Sequence, residues 1–335
     1  MNTSAPLLSP EEIAVRAGRN APVLHLPLRA EVFAERGIRL RQRAAGNAMR
    51  DYLMLMAELC RAQHEALQDY PEVALPDADA LMAAAQAGRA PLPAIHWPRD
   101  PRWQGSLHRM LDDLLARLPA SPARASVDAL RALDAQALEH QADCLLRNLG
   151  SELEMAFTPF VAAGLQLYWT HLVLATQAAH GAERLAPFGR IDDAGLCPCC
   201  GSLPVASVTR TDPGFGGLRY LQCSLCSTQW HMVRIKCARC ESTKGIHYQS
   251  LQALDDDSPA ARKASVEAEA CDECGNYLKI VHRDRDLEVE PAADDLATLT
   301  LDLLMQEAGF QRHGSNLLLL LGEADSPPVD DGGGG

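Results

Sequence analysis

The sequence contains no long uninterrupted apolar run. Its most apolar stretch, residues 160–179, is interrupted by polar side chains, among them Gln166, Thr170, His171 and Gln177. Such groups are costly in lipid, so the stretch is predicted to be a helix buried in a soluble domain rather than a membrane span. The amino terminus also lacks the charged, apolar and small-residue order of a secretory signal. These absences predict a cytoplasmic protein without membrane insertion.

Basic residues are scarce relative to acidic ones. The 335-residue chain has 31 Lys and Arg against 44 Asp and Glu, a formal charge of −13. Because proteins that bind nucleic acid usually present a basic surface, this balance argues against a nucleic-acid partner. Residues 197–254, however, hold six Lys and Arg against two Asp and Glu. This local excess leaves a nucleic-acid-binding ribbon module as an alternative.

Motifs of the common enzyme classes are missing too. The sequence has no Gly-rich phosphate loop, no G-x-S-x-G nucleophile elbow and no paired-histidine motif for a catalytic metal. Taken together, these absences predict that the protein is not an enzyme.

Cysteine, by contrast, is abundant and clustered. Eight of the eleven cysteines form four Cys-x-x-Cys pairs, and these are the candidate metal ligands: Cys197, Cys200, Cys223, Cys226, Cys237, Cys240, Cys271 and Cys274. Each Cys-x-x-Cys turn directs two sulfurs to one point, and two turns supply the four thiolates of a tetrahedral site. Four pairs therefore predict two complete sites. In a reducing compartment, such clustering indicates metal or redox chemistry rather than a disulfide scaffold.

Chain order favours sequential pairing, with one site formed within residues 197–226 and the other within residues 237–274. The alternative is interleaved and joins the pairs at Cys223 and Cys237 across a ten-residue linker. Two mononuclear metal ions are therefore predicted, one in each site. Four thiolates fit either zinc or a rubredoxin-type iron, and the sequence does not choose between these metals. A site filled by thiolates has no open position for water, which argues against Lewis-acid catalysis.

Glycine directly follows the second cysteine of two pairs, as Gly201 and Gly275. In a rubredoxin or zinc-ribbon knuckle this position needs a positive φ, which glycine tolerates. A dithiol–disulfide centre would instead place one pair at a helix start in a βαβ unit, whereas these pairs lie in turn-rich, β-like sequence. Cys199 is predicted to be a bystander or an oxidisable thiol, and Cys60 and Cys144 to be small core residues.

The composition divides the chain into a helical part and a cysteine-rich part. The predicted fold class is an α+β multidomain protein, in which an all-α N-terminal domain precedes two small rubredoxin-like (zinc-ribbon-like) metal-binding subdomains and a C-terminal helix. The predicted units are an irregular arm (1–25), the helical domain (26–188), the two subdomains (189–232 and 233–290), the C-terminal helix with its return segment (291–322), and a disordered tail (323–335).

Several local features are predicted from spacing and capping preferences. Ser126 is expected to cap a helix over residues 127–149, and Pro159 to kink or break the helical stretch 152–181. Residues 316–322 are expected to form a buried strand or a last helical turn. In the C-terminal helix, an apolar face and a glycine C-cap are expected from Leu296, Leu299, Leu303, Leu304 and Gly309.

The cysteine-rich region resembles the FdhE family of formate dehydrogenase accessory proteins. The resemblance rests on CPCCGSLPVAS at 197–207, RYLQCSLCSTQWHMVRIKCARC at 219–240, EACDECGNYLK at 269–279 and DDLATLTLDLLMQEAGFQR at 294–312. The helical part resembles the family more loosely, through its length, its helical character and the segment LQLYWTHL at 165–172.

This resemblance implies a helical domain joined to two rubredoxin-like subdomains that bind iron through the eight paired cysteines. It further implies a cytoplasmic protein that associates with the catalytic subunit of respiratory formate dehydrogenase, a molybdenum and selenium enzyme. The family is expected to act in maturation of that enzyme before its export by the twin-arginine route. The oligomeric state is not indicated. The residues alone leave two alternatives open, a zinc-ribbon nucleic-acid-binding module and a thiol or iron redox protein.

Overall fold

The computed structural model describes residues 22–181, 186–212, 215–251 and 264–320. Within these residues, the strand Leu24–His25 and seven α-helices are followed by six strands, two short helices and the strand Gln311–Arg312, and all eight strands belong to one sheet. The predicted α+β multidomain class is therefore confirmed. The predicted disordered tail lies outside the described residues.

The helical part is built around one central helix, α7, which is buried on nearly every side from Thr158 to Val173. Three neighbours, α2, α4 and α6, pack around it. Its Gln166 side chain donates to the Ser224 carbonyl at 2.8 Å. None of the helices in the described residues has the length and apolar character that a membrane span requires. The helices are α1 Val32–Ala44, α2 Arg50–Gln68, α3 Ala78–Gln86, α4 Arg102–Leu115, α5 Pro122–Arg131, α6 Ala135–Leu146 and α7 Thr158–His180.

Helix starts follow local capping, and one predicted start is wrong. Ser126 lies inside α5, where its hydroxyl donates to the Pro122 carbonyl at 3.1 Å. Ser121 caps α5 instead, and Pro122, whose fixed φ suits a first turn, follows it. Asp134 caps a separate helix, α6, so the single helix expected over residues 127–149 is two helices. The break predicted at Pro159 is confirmed, because that proline opens α7.

The eight strands form one continuous sheet in the order β1-β4-β3-β2-β7-β6-β5, with β8 beside β7. Most neighbours are antiparallel, but β2 and β7 are parallel, as are β7 and β8. Parallel pairing of Ser207 with Ile280 therefore joins the two cysteine-bearing halves edge to edge. The strands are β1 Leu24–His25, β2 Pro204–Asp212, β3 Phe215–Cys223, β4 Gln229–His231, β5 Ile246–Gln249, β6 Val266–Cys271, β7 Asn276–His282 and β8 Gln311–Arg312.

The segment expected to be an irregular arm is described from residue 22 onward. Its strand β1 pairs Leu24 with Trp230 and His25 with Gln229 at the edge of the sheet. The N-terminal arm thus extends the first cysteine-bearing half by one strand.

Two short helices, rather than one, follow the sheet: α8 Pro291–Leu296 and α9 Leu299–Glu307. The predicted apolar face is wrong in its second half, because Leu303 and Leu304 are 48% and 46% exposed while Leu301 and Met305 are buried. The chain leaves the helix at Ala297–Thr298, which changes the direction of every later side chain. Gly309, with φ +86°, follows the C-cap of α9 as predicted.

A buried lysine explains this break. The Lys279 ammonium donates to the carbonyl oxygens of Asp295 and Thr298, at 2.8 and 3.1 Å. Carbonyls at a helix C-terminus attract a cation, and these two are no longer available to a continuing helix. Beyond α9, residues 316–320 form a turn with Leu318 buried, which is neither of the two elements expected there.

Lys279 also neutralises two buried carboxylates. Its ammonium lies 2.5 Å from Asp302 and 3.3 Å from Asp295, and all three side chains are at most 2% exposed. Arg312 contacts the same two carboxylates at 2.7 and 2.9 Å. Strand β7, strand β8 and the two C-terminal helices are therefore joined by one ionic network.

A second buried network joins the helical part to the cysteine-rich part. Arg39 of α1 donates to both carboxylate oxygens of Asp294 on α8, at 2.8 Å each. One turn earlier, Arg36 donates to Glu290 at 3.1 Å and to the Ser227 hydroxyl at 3.1 Å. Bidentate arginine–carboxylate pairs fix orientation as well as distance. The first helix is thus held in one position against the cysteine-rich part.

Replacing Lys279 by Met should destabilise the protein by about 3–5 kcal/mol, because it leaves buried carboxylates with one cation fewer. Arg61→Met is the control, since Arg61 forms a partly exposed pair with Glu65 on α2 and should change stability little. The midpoints of urea unfolding, followed by circular dichroism, give the comparison. Equal midpoints for the two variants would contradict the role assigned to Lys279.

Candidate metal centres

The first cluster brings together Cys197, Cys200, Cys223 and Cys226. The sulfur of Cys197 lies 3.5 Å from that of Cys226, and the sulfur of Cys200 lies 3.4 Å from that of Cys223. All four ligand atoms lie within 4.8 Å of one another, and all four residues are buried.

The second cluster brings together Cys237, Cys240, Cys271 and Cys274. Two sulfur–sulfur distances, Cys237 to Cys274 and Cys240 to Cys271, are each 3.7 Å. Here Cys240 is exposed and Cys274 is half-buried. The second cluster therefore reaches the surface, whereas the first does not.

These separations have the dimensions of a metal site. Four sulfurs placed tetrahedrally about 2.3 Å from a metal ion lie about 3.8 Å from one another, whereas disulfide sulfurs lie about 2.05 Å apart. The observed 3.4–3.7 Å agrees with the first value. All eight cysteines are free thiols, and each group could hold a metal ion. The grouping is sequential along the chain rather than interleaved.

All four Cys-x-x-Cys turns share one backbone feature. The residue after the second cysteine has a positive φ in every case: +72° at Gly201, +60° at Ser227, +59° at Glu241 and +66° at Gly275. A positive φ was predicted from glycine in two of these turns. The other two turns adopt the same left-handed conformation although Ser227 and Glu241 carry side chains. For a residue other than glycine, this conformation costs roughly 1–2 kcal/mol.

At the two positions that are not glycine, the side chain makes a contact that glycine could not make. Ser227 accepts the hydrogen bond from Arg36 on α1, at 3.1 Å. Glu241 pairs with Lys236 on the other side of its knuckle. The Ser227 contact ties the first cluster directly to the helical part.

Backbone N–H groups donate to a cysteine sulfur in one turn of the first cluster and one turn of the second. The N–H groups of Leu225 and Cys226 donate to the Cys223 sulfur, each at 3.3 Å. In the second cluster, the Arg239 N–H donates to the Cys237 sulfur, also at 3.3 Å. Hydrogen bonds of this kind favour the thiolate form, which is the form that binds metal.

Four thiolates in one place also need a cation. Burial raises the pKa of Cys197 and Cys223 well above the usual range of a thiol. At Cys226 burial acts in the same direction, but hydrogen bonds from the neighbouring thiols outweigh it and lower the pKa. In the second cluster, burial raises the pKa of Cys237 to about 12. A bound metal ion would favour the thiolate form and so offset this effect of burial.

The first cluster is enclosed by the helical part. The N–H groups of Leu92 and Ala94 donate to the carbonyls of Cys199 and Cys200, at 3.0 and 2.9 Å. From α7, Gln166 donates to the Ser224 carbonyl at 2.8 Å. The first cluster is thus part of the core, and its sulfurs are reached only if that packing opens.

The remaining cysteines have distinct surroundings. Cys60 lies in the helical core, as expected, and is fully buried. Cys199 is also fully buried, and its sulfur lies 3.5 Å from the Thr228 hydroxyl at the edge of the first cluster. Cys144 is buried, but its sulfur lies beside His140 and Glu152. Sequence reasoning missed this last group, although the four-residue spacing of His140 and Cys144 places both on one helix face.

Comparison with known proteins identifies the family. Profiles of the FdhE N-terminal, central and C-terminal domains match residues 21–185, 196–234 and 235–319. The chain belongs to the FdhE family. A protein FdhE homolog from Cronobacter sakazakii is 36% identical over 310 residues, which cover 92% of this chain and 95% of the homolog. The homolog from Serratia proteamaculans is 38% identical over 304 residues, with 90% and 92% covered.

The fold agrees with a solved structure of the same family. The crystal structure of the FdhE protein from Pseudomonas aeruginosa has a TM-score of 0.75 and 37% sequence identity, and it matches 90% of this chain and 100% of its own. The family resemblance read from the cysteine motifs is thereby confirmed.

The two clusters should differ in how readily they release metal. In protein loaded with two zinc ions, a chelator should remove one ion quickly from the exposed second cluster and the other slowly from the buried first cluster. The Cys240→Ser variant should lose the fast phase and keep the slow one. Zinc release is followed with a chromogenic chelator, and released thiols are mapped by alkylation. Labelling of Cys197 or Cys226 before Cys271 would contradict this order.

The free-energy cost of the left-handed backbone after the second cysteine can be measured at Gly275 without introducing a steric clash. A methyl group added there meets nothing within 4 Å, so Gly275→Ala should cost only the backbone term of roughly 1–2 kcal/mol. Gly105→Ala is the matched control, because Gly105 lies in α4 and its added methyl also meets nothing within 4 Å. That control should be neutral or stabilising. Urea midpoints from circular dichroism and zinc release measure both, and a shift in the same direction for both would contradict the assignment.

Proposed function

We propose that this FdhE-family protein is an accessory factor for respiratory formate dehydrogenase. It binds the catalytic subunit in the cytoplasm and assists its maturation before export, and it does not turn over formate itself. The eight clustered cysteines hold two metal ions, each iron or zinc. The observation that carries the proposal is family similarity over nine-tenths of the chain, including both cysteine clusters.

The chemistry of the clusters supports a role other than catalysis. Each cluster offers four thiols to one point, and a metal ion bound there has its four tetrahedral positions filled. A filled site leaves no position for formate or water, so neither Lewis-acid activation nor metal-bound hydroxide is provided. Iron in such a site could still change oxidation state, whereas zinc could not.

The positions of the clusters support different tasks for the two ions. The first is enclosed by α7 and by residues 92–94, so its ion would stabilise the junction between the helical and cysteine-rich parts. Structural metal ions contribute folding free energy directly. The second cluster carries an exposed cysteine, Cys240. Its ion would support a surface that a partner protein can contact.

The local basic excess gives little support to the nucleic-acid alternative. Arg219 is buried and pairs with Glu269 at 2.8 Å. Arg210 donates to Gln229, and Lys236 pairs with Glu241. Side chains that neutralise phosphates must face solvent, which Arg219 does not, while Arg210 and Lys236 are already bound to partners within the protein. The remaining exposed cations are few for a chain of net charge −13.

Deleting the gene should abolish formate-dependent respiratory activity, and the wild-type gene should restore it. A Cys223→Ser, Cys226→Ser double variant should release about one metal equivalent and restore activity poorly. Cys60→Ala, which removes a buried cysteine outside both clusters, should keep both metal ions and restore activity fully. Metal content of purified protein and the visible spectrum, which distinguishes iron from zinc, accompany the activity measurement.

Contact with the enzyme is tested separately, by capture on the tagged precursor of the catalytic subunit from a cytoplasmic fraction. The proposal expects capture of the wild-type protein and no formate oxidation by that protein alone. Full activity in a deletion strain without a second copy of the gene would remove the maturation role. Loss of activity without capture would remove the proposed contact and leave an indirect effect.

A further inference from the structure

Three side chains with metal-binding atoms meet at the C-terminal end of α6, far along the chain from either cysteine cluster. The Nε2 atom of His140 lies 3.6 Å from the Cys144 sulfur and 3.6 Å from Oε2 of Glu152. The Cys144 sulfur lies 3.9 Å from the same carboxylate oxygen. Nitrogen, sulfur and oxygen thus form a nearly equilateral triangle.

The backbone explains why these three side chains converge. His140 and Cys144 are four residues apart on α6 and share one face. The helix ends at Leu146, and Asn148, whose φ is +57°, then turns the chain back over the last turn. The Leu149 N–H donates to the Cys144 carbonyl at 2.9 Å, and a 3₁₀ helix, Gly150–Glu152, follows.

Gln141 fixes the returning segment on α6. Its side-chain amide donates to the Glu152 carbonyl at 3.3 Å, and its amide oxygen accepts the Glu154 N–H at 3.0 Å. The backbone that carries Glu152 is therefore held on α6 by two hydrogen bonds. Ligands positioned before binding lose less conformational entropy when a metal ion arrives.

We propose that His140, Cys144 and Glu152 form a third metal site, which takes a divalent transition-metal ion such as zinc. For an ion bound about 2.0–2.3 Å from nitrogen, oxygen and sulfur ligands, the tetrahedral ligand–ligand separations are about 3.4–3.6 Å. The observed 3.6–3.9 Å is a few tenths of an ångström wider. Closure by rotation of two surface side chains is enough.

This site differs in kind from the two cysteine clusters. It supplies three protein ligands rather than four, and its His140 and Glu152 side chains are 54% and 55% exposed. A three-ligand site keeps one position for water or for an incoming ligand. The ion at this site should therefore exchange with solution, whereas an ion in the enclosed first cluster should not.

A simple ion pair would not account for the arrangement. A histidine–glutamate ion pair involves only those two side chains. Here the buried thiol of Cys144 also faces the ring nitrogen of His140 that the Glu152 carboxylate faces. Asp143, the neighbouring carboxylate, points elsewhere and lies 2.5 Å from Arg99. Asp143 therefore serves as a matched control, since it lies next to Cys144 and carries the same charge as Glu152.

The test uses the full chain without an affinity tag, with zinc already bound in the two cysteine clusters. Cobalt(II) is titrated in, and binding is read from the sulfur-to-cobalt charge-transfer band and from metal content. The wild-type and Asp143→Asn proteins should take up one further equivalent. Cys144→Ser should lose the charge-transfer band, and His140→Ala and Glu152→Gln should weaken binding by about tenfold or more.

Cys144 is buried, so Cys144→Ser could disturb the helix. His140 lies on the surface, and His140→Ala therefore tests the site without that disturbance. Absence of a third equivalent in the wild-type protein would overturn the proposal. So would a third equivalent whose affinity and spectrum are unchanged in both His140→Ala and Cys144→Ser. If Asp143→Asn weakened binding of the third equivalent as much as Glu152→Gln does, the binding would reflect nonspecific attraction by acidic residues. That result would also overturn the proposal.

Discussion

Several thiolates can share one point in space only when a cation offsets their mutual repulsion. The two cysteine clusters impose this requirement on the cysteine-rich part, because each brings four sulfurs to within a few ångströms. Burial raises the pKa of Cys197 and Cys223, so these two thiols favour the protonated form when no metal ion is bound. Metal binding favours the thiolate form instead, and the four Cys-x-x-Cys turns place the sulfurs where a metal ion can bind them. The strained backbone at Ser227 and Glu241 is one cost of that geometry.

The cysteine-rich part is joined to the helices by charges rather than by apolar contact alone. Arg36 contacts both the knuckle residue Ser227 and Glu290, which caps the short helix α8. One turn further along α1, Arg39 binds Asp294. Buried arginine–carboxylate pairs fix orientation strongly, because leaving either partner alone in the interior is costly. The first cluster, helix α1 and helix α8 consequently form a single structural unit.

The sequence predicts best those features that depend on neighbouring residues. The eight clustered cysteines were found from a spacing of three, and their sequential grouping from chain order. The start of α7 next to Pro159 and the cap at Gly309 follow from the fixed φ of proline and the free φ of glycine. Apart from the grouping of the pairs, each of these features lies within a single turn of chain.

Features that depend on distant residues were missed. The break between α8 and α9 requires Lys279, which comes from strand β7 and binds the carbonyls at the break. The exposed positions of Leu303 and Leu304 follow from that break, so helical spacing alone predicted the wrong face. The grouping of His140 and Cys144 with Glu152 likewise depends on a left-handed turn at Asn148, a residue type that permits such a turn but does not require it.

The parallel pairing of β2 with β7 has a kinetic consequence. Hairpin contacts such as Cys271 with Asn276 close over a few residues, but Ser207 meets Ile280 only after the intervening chain has been brought back. Contacts between residues far apart in sequence form slowly, because the entropy of loop closure is lost before the contact is gained. A metal ion bound in each cluster would fix its own loop and shorten the free chain, so loading of the two clusters should speed the joining of the halves. Metal supply would thereby be coupled to the rate at which the sheet is completed.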